Sequence, residues 1–230
     1  MLLWRQSYNN TVLVGLNNNN LRMFSLILDL IFPRFCIGCG KFDTHICENC
    51  YEKINFYPLA IKLKIKNSSL EKIIVMARYE RVIKKLITTL KYKSRKNIGQ
   101  TLARMIYYAT DFPQVEVIVS VPLHQKRKRI RGFNQATEIA LELSKLSNIP
   151  FIELLKRTKH SQPQAKISDK NKRLTHLKNT FVLNKEIPNL KSVLIIDDVI
   201  TTGTTLNECA LILKQAGTKK IYGLVVAHGS

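Results

Sequence analysis

Asp197 and Asp198 stand side by side between an apolar run, Val193 to Ile196, and a loop of small residues, Thr201-Thr202-Gly203-Thr204-Thr205. Three of the four apolar residues are β-branched, which predicts a buried strand with the acids at its end. Leu206 to Gln215 carries a helical pattern, so the loop should feed a helix. Glycine permits a tight backbone turn. Hydroxyls and loop N–H groups at a helix start converge on an anion. Two carboxylates repel that anion; they suit the hydroxyls of a sugar, or a Mg²⁺ ion held beside it. These residues read as a sugar-phosphate cradle.

A second set is Cys36-x-x-Cys39 and Cys47-x-x-Cys50, with seven residues between the pairs. Each pair presents two thiolates from one knuckle, and two knuckles complete the tetrahedral sulfur site that Zn²⁺ favours. An iron–sulfur cluster and a redox dithiol are the alternatives, and ligand count and spacing favour zinc. Gly38 and Gly40 flank Cys39 and allow the tight backbone. A closed four-thiolate site has no open position for substrate, so the metal is structural. It would supply folding energy on the order of 10 kcal/mol to a segment too short for its own core. His45, between the knuckles, is expected at the surface. The fifth cysteine, Cys209, sits on the apolar side of the helix after the loop and reads as a small buried hydrophobe.

The third set is cationic. Lys126, Arg127, Lys128, Arg129 and Arg131 crowd one short run, and no Asp or Glu occurs between Glu116 and Glu138. The run follows a predicted strand end at Val121, where α/β sheets bind ligands. It suits a diphosphate or the phosphates of a nucleic acid. Phe133 is the one aromatic close to it, equally suited to a helix core.

The elements that must position these groups alternate. Lys72–Tyr79, Glu116–Val121, Lys191–Ile196 and Ile221–Val226 read as strands, with a short strand over Ile149–Leu154. Val82–Lys91, Ile98–Thr110, Phe133–Leu146 and Leu206–Gln215 read as helices, the last closed by Gly217. Such alternation implies βαβ units and a parallel sheet flanked by helices, an α/β fold. Residues 1–22, with four consecutive asparagines, read as a disordered lead, and Met23 is the better start. The division expected is a zinc module over 23–55, a Lys-rich linker over 56–69 and the α/β domain over 70–230. Residues 156–172 are a candidate lid on length and polarity.

Segment 193–205 resembles the phosphoribosyl diphosphate (PRPP) motif of type I phosphoribosyltransferases; all thirteen positions hold residue types that motif accepts. The resemblance implies that Asp197 and Asp198 hold the ribose 2′- and 3′-hydroxyls of PRPP. Val199 belongs to the same PRPP-binding set, and Thr201, Thr202, Gly203, Thr204 and Thr205 wrap the 5′-phosphate. The whole chain from residue 23 is similar to the ComF family of competence-associated phosphoribosyltransferase-like proteins. That likeness rests on the cysteine module, Val-Pro-Leu-His at 121–124, Arg-Gly-Phe-Asn-Gln at 131–135 and the PRPP motif. It rests further on Ile87 to Tyr92, Arg157 with Gln164, and Arg173 with Phe181. His176 departs from it, since the family shows Asn there.

The family likeness implies Mg²⁺ with PRPP, and transfer of phosphoribosyl to an unidentified acceptor with release of pyrophosphate. Asp197, Asp198 and Arg131 are the catalytic candidates. It also implies a place in natural transformation, with single-stranded DNA and a competence helicase as partners. A non-catalytic DNA-binding and docking factor on the same fold is the alternative. Composition sets the bounds: 45% apolar residues suffice for a core, and the net charge of +21 fits a polyanionic partner. Lysine-rich composition throughout accounts for part of that charge. No apolar run approaches the ~20 residues of a membrane span. That, with the lack of a leader pattern in residues 1–22, predicts a cytoplasmic protein, in which five cysteines argue for metal binding before disulfides.

Overall fold

The computed structural model describes residues 34–42, 44–57, 68–92, 95–158, 180–185 and 189–229. The lead, the Met23 start, most of the 56–69 linker, Gln164, Arg173, His176 and all of the 156–172 segment past Thr158 fall outside those residues.

Four strands, β1 (Lys72–Arg78), β2 (Val117–Ser120), β5 (Ser192–Ile200) and β6 (Lys220–His228), form one parallel sheet in the order β1-β6-β5-β2. Each strand is apolar on both faces, as a covered parallel sheet requires. Ile74, Met76, Ile118, Leu194, Ile196, Leu224 and Val226 face one core layer. Their neighbours Ile73, Val75, Val117, Val119, Val193, Ile195 and Val225 face the other. The period-two alternation of side chains places them so.

On the first face lie α2 (Arg81–Tyr92), α3 (Lys96–Ala109) and α5 (Gln135–Ser147). On the second lie α6 (Thr204–Gln215) and an antiparallel pair, β3 (Leu155–Arg157) with β4 (Phe181–Leu183). The basic run forms a seven-residue helix, α4 (Gln125–Arg131), that buries none of its residues. The N-terminal helix α1 (Glu48–Glu52) carries Cys50.

Three expectations are corrected. Ile149–Leu154 forms no strand: Phe151 makes only an isolated bridge to Ile118, and the strand starts at Leu155 on a separate small sheet. β5 does not stop at the acid pair but runs on to Ile200, because β6 accompanies it to His228. His45 is not a surface residue; it is 8% exposed, with Nδ1 3.2 Å from Thr101 Oγ1 and Nε2 3.2 Å from Asn97 Nδ2 on α3. Burial, then the charges of Arg34 and Arg95, lower its pKa to about 4, so the ring is neutral at pH 7.

The cysteine segment does not hang free. Cys36, Ile46, Cys47, Cys50 and Ile54 belong to the same buried cluster as Ile83, Leu86 and Met105 of α2 and α3. Lys85 on α2 donates to the Gly38 carbonyl at 3.0 Å.

Candidate functional site

β2 leaves the sheet just before the acids. Its last paired residue, Ser120, sits opposite Ile196, and Val121 N–H donates to the Ile196 carbonyl at 2.9 Å. From Asp197 onward β6 alone accompanies β5. A parallel strand uses its two sides alternately, so the Asp198 N–H, two residues beyond Ile196, points into the gap that β2 vacates. That N–H donates to Asp197 Oδ1 at 2.8 Å, which draws the Asp197 carboxylate to the open edge. Asp198, one residue on, faces α2, where Lys91 Nζ lies 3.0 Å from its Oδ2. The side chains of this pair are 19% and 15% exposed. Each acid thus has one oxygen held internally. Asp197 Oδ2 and Asp198 Oδ1 have no partner among the described residues.

Burial, and then the charge of Asp198, push the Asp197 carboxyl up to about 8, against the smaller pull of the Asp198 N–H and Lys91. Two adjacent acids share a site poorly when both are charged. A donor or cation delivered to them relieves that repulsion.

The loop beyond β5 leads directly into the start of α6. Gly203 is buried in the left-handed region, φ +78°, and serves as N-cap of α6 without any side-chain cap. The Thr204 N–H and hydroxyl turn to Thr202 Oγ1, at 3.4 and 2.9 Å. Thr201, Thr202, Thr204 and Thr205 are all exposed around it. No acidic residue stands in the first turn of α6. Val199 is half-buried against the α2 layer.

The cations divide. Lys126, Arg127, Lys128 and Arg129 are fully on the surface of α4, and none pairs with a carboxylate among the described residues. Arg131 is drawn in: it donates to Gln135 Oε1 at 2.9 Å, and its guanidinium lies 5.3 Å from the Tyr92 ring centre. The rest of the 131–135 run is architectural. Gly132 caps α4 in the left-handed region, Phe133 is buried, and Asn134 binds the Val121 carbonyl at 2.9 Å while capping α5. Phe133 is therefore core, not a stacking surface. Lys91, paired with Asp198, and Tyr92, against Arg131, are the neighbours of candidate site residues that the motif reading missed. Their only sequence signal was the 87–92 stretch of the family likeness.

The four cysteine sulfurs all lie within 4.8 Å of one another, with Cys39 and Cys47 at 3.5 Å. A tetrahedral zinc with bonds of about 2.3 Å sets sulfurs about 3.8 Å apart, so the cluster fits that ion. Cys47 N–H donates to Cys36 Sγ at 3.3 Å, and Gly40, φ +81°, closes the first knuckle on the Cys36 carbonyl at 2.7 Å. Burial pushes the Cys36 thiol up, but the main-chain N–H groups of Cys47, Cys39 and Gly38 outweigh it and bring the thiol down to about 6. Burial and the other three cysteines push Cys50 up to about 12. The cluster thus accommodates one negative charge readily and four only around a cation. Cys209, 0% exposed on α6, is a buried hydrophobe as expected.

The phosphoribosyl transferase domain family matches residues 130–229. Competence protein F of Haemophilus influenzae is 33% identical over 81% of this chain and 86% of its own length. DNA utilization protein YhgH of Escherichia coli K12 is 30% identical over 81% of this chain and 80% of its own. A slighter likeness, TM-score 0.41 at 19% identity over 58% of this chain and 26% of the other, is to the B. subtilis glutamine PRPP amidotransferase. With a phosphoribosyltransferase-type sheet and a four-cysteine N-terminal cluster fit for zinc, this chain belongs to the competence protein F (ComF) family.

Proposed function

We propose that the chain binds Mg²⁺·PRPP at the open end of β5 and works in the handling of DNA for uptake, in the cytoplasm. The observation that carries the reading is the pairing of two half-satisfied carboxylates with the Gly203-capped helix start one short loop away. Asp197 Oδ2 and Asp198 Oδ1 accept from the ribose hydroxyls, and the α6 loop takes the 5′-phosphate. The names of the relatives, competence and DNA utilization, support the process.

Where transfer occurs, an acceptor lone pair attacks the anomeric carbon and the bond to the diphosphate oxygen breaks. The leaving pyrophosphate takes that electron pair, and the acceptor sheds its proton to solvent. Charge then grows on the diphosphate, where a cation such as Arg127 or Arg131 stabilises it; Mg²⁺, when bound beside the acids, would supply further charge stabilisation there. A ligand that binds only the folded state raises the melting temperature with its concentration. Mg²⁺·PRPP should do so in a thermal-shift titration, and a flat response up to millimolar ligand would reject the reading.

The exposed cations of α4 support a second use, contact with the phosphates of single-stranded DNA. Docking of the competence helicase on the cysteine segment belongs to the same proposal.

A further inference from the structure

We infer that Lys91 is a positioning residue that fixes Asp198 for one particular ribose hydroxyl. The inference rests on the PRPP reading of the site and goes beyond the motif, since Lys91 comes from α2, far from it in sequence. Its ammonium takes one oxygen of Asp198 at 3.0 Å, with both side chains largely withdrawn from water. Asp198 is left with a single oxygen and a fixed orientation, so it accepts from one donor in one direction. Asp197 reaches the same oxygen count by another route, its own neighbour's N–H at 2.8 Å. The two carboxylates are therefore oriented independently, and each should answer for one hydroxyl.

The support behind Lys91 is rigid. α2 is anchored by Val82, Ile83, Leu86, Ile87 and Leu90 in the core. Lys85 ties the same helix to the Gly38 carbonyl in the cysteine knuckle. A site residue held by a packed helix is placed more finely than one on a loop. The next residue, Tyr92, carries the Arg131 guanidinium 5.3 Å from its ring. Replacing Lys91 removes the restraint on Asp198 and leaves in place the Asp198 N–H bond that orients Asp197.

The test uses three sugar phosphates, ribose 5-phosphate and its 2-deoxy and 3-deoxy forms, titrated into the zinc-loaded full chain. Wild type should prefer ribose 5-phosphate to each deoxy sugar by on the order of 10-fold, the worth of a hydrogen bond to a charged acceptor. Lys91→Met should lose the preference against one deoxy sugar and keep it against the other. Lys91→Arg, which restores a cation, should recover it. A general defect in folding or charge lowers all three affinities together and leaves the ratios alone. Lys91→Gln provides the same comparison if the Met variant does not fold. Retention of both preferences in the neutral variants, or loss of both at once, would overturn the role given to Lys91. Wild type that binds neither ribose 5-phosphate nor PRPP would instead overturn the reading of the site.

Discussion

Gly38→Ala is the sharpest probe of the cysteine cluster. A Cβ at position 38 would stand 2.5 Å from Cys50 Sγ, 3.0 Å from Cys50 Cβ and 3.4 Å from Val82 Cγ2. Comfortable contact begins near 3.5 Å, so the sulfur or the knuckle must move by about 1 Å. Metal–ligand distances tolerate only about 0.2 Å. Cys50 has nowhere to retreat, being 5% exposed on α1 against the α2 core. Zinc affinity should fall on the order of 10- to 100-fold, and overpacking should cost about 1–3 kcal/mol of stability. The assay is competition for zinc against a chromophoric chelator, with thermal melts of the same samples. Gly40→Ala is the control: its φ of +81° strains any side chain, yet a Cβ there meets nothing within 4 Å. It should lose about 1–2 kcal/mol through backbone strain while holding zinc nearly as well as wild type. If Gly38→Ala binds zinc as tightly as wild type, or both variants lose affinity alike, the steric reasoning fails.

Other outcomes follow from the same geometry. Asp197 has its pKa raised from 3.8 to about 8 on folding, so the folded state holds a proton that the unfolded chain has released. Its contribution to stability is complete below about pH 4 and is lost as pH rises through 8, at most ~1.4 kcal/mol per pH unit. Asp197→Asn should flatten that slope in urea melts between pH 5 and 8 and leave the variant more stable than wild type at pH 8. His45→Ala leaves Thr101 and Asn97 without the ring and should cost about 1–3 kcal/mol, with zinc stoichiometry unchanged by elemental analysis. Chelation of zinc should lower a single cooperative transition rather than melt an N-terminal module separately, because the cysteines share the main core. Alanine at Lys126, Arg127, Lys128 and Arg129 together should reduce the log–log salt slope of single-stranded DNA binding by roughly 3, from about 0.7 per cation.

The sheet was legible because its strands are apolar on both faces, and the amphipathic helices carried the 3.6-residue period over twelve or more positions. α4 and the β3–β4 pair were not. A helix that buries nothing has no apolar period to read, and three-residue strands are too short for one. The acid pair was legible in type but not in setting: its place inside β5 depends on how far β6 runs beside it. The motif predicted Asp198 but not the helix that orients it. Lys91 reads locally as one lysine among many, and only packing brings it to the carboxylate. His45 looked like a surface residue because its partners lie on α3, well along the chain.

The most direct test of the central claim is calorimetric titration of Mg²⁺·PRPP into the zinc-loaded protein, with the double variant Asp197→Asn/Asp198→Asn beside it. Saturable one-site binding in wild type, lost in the folded double variant, is the predicted result. No binding by folded wild type, or equal binding by both proteins, would contradict it.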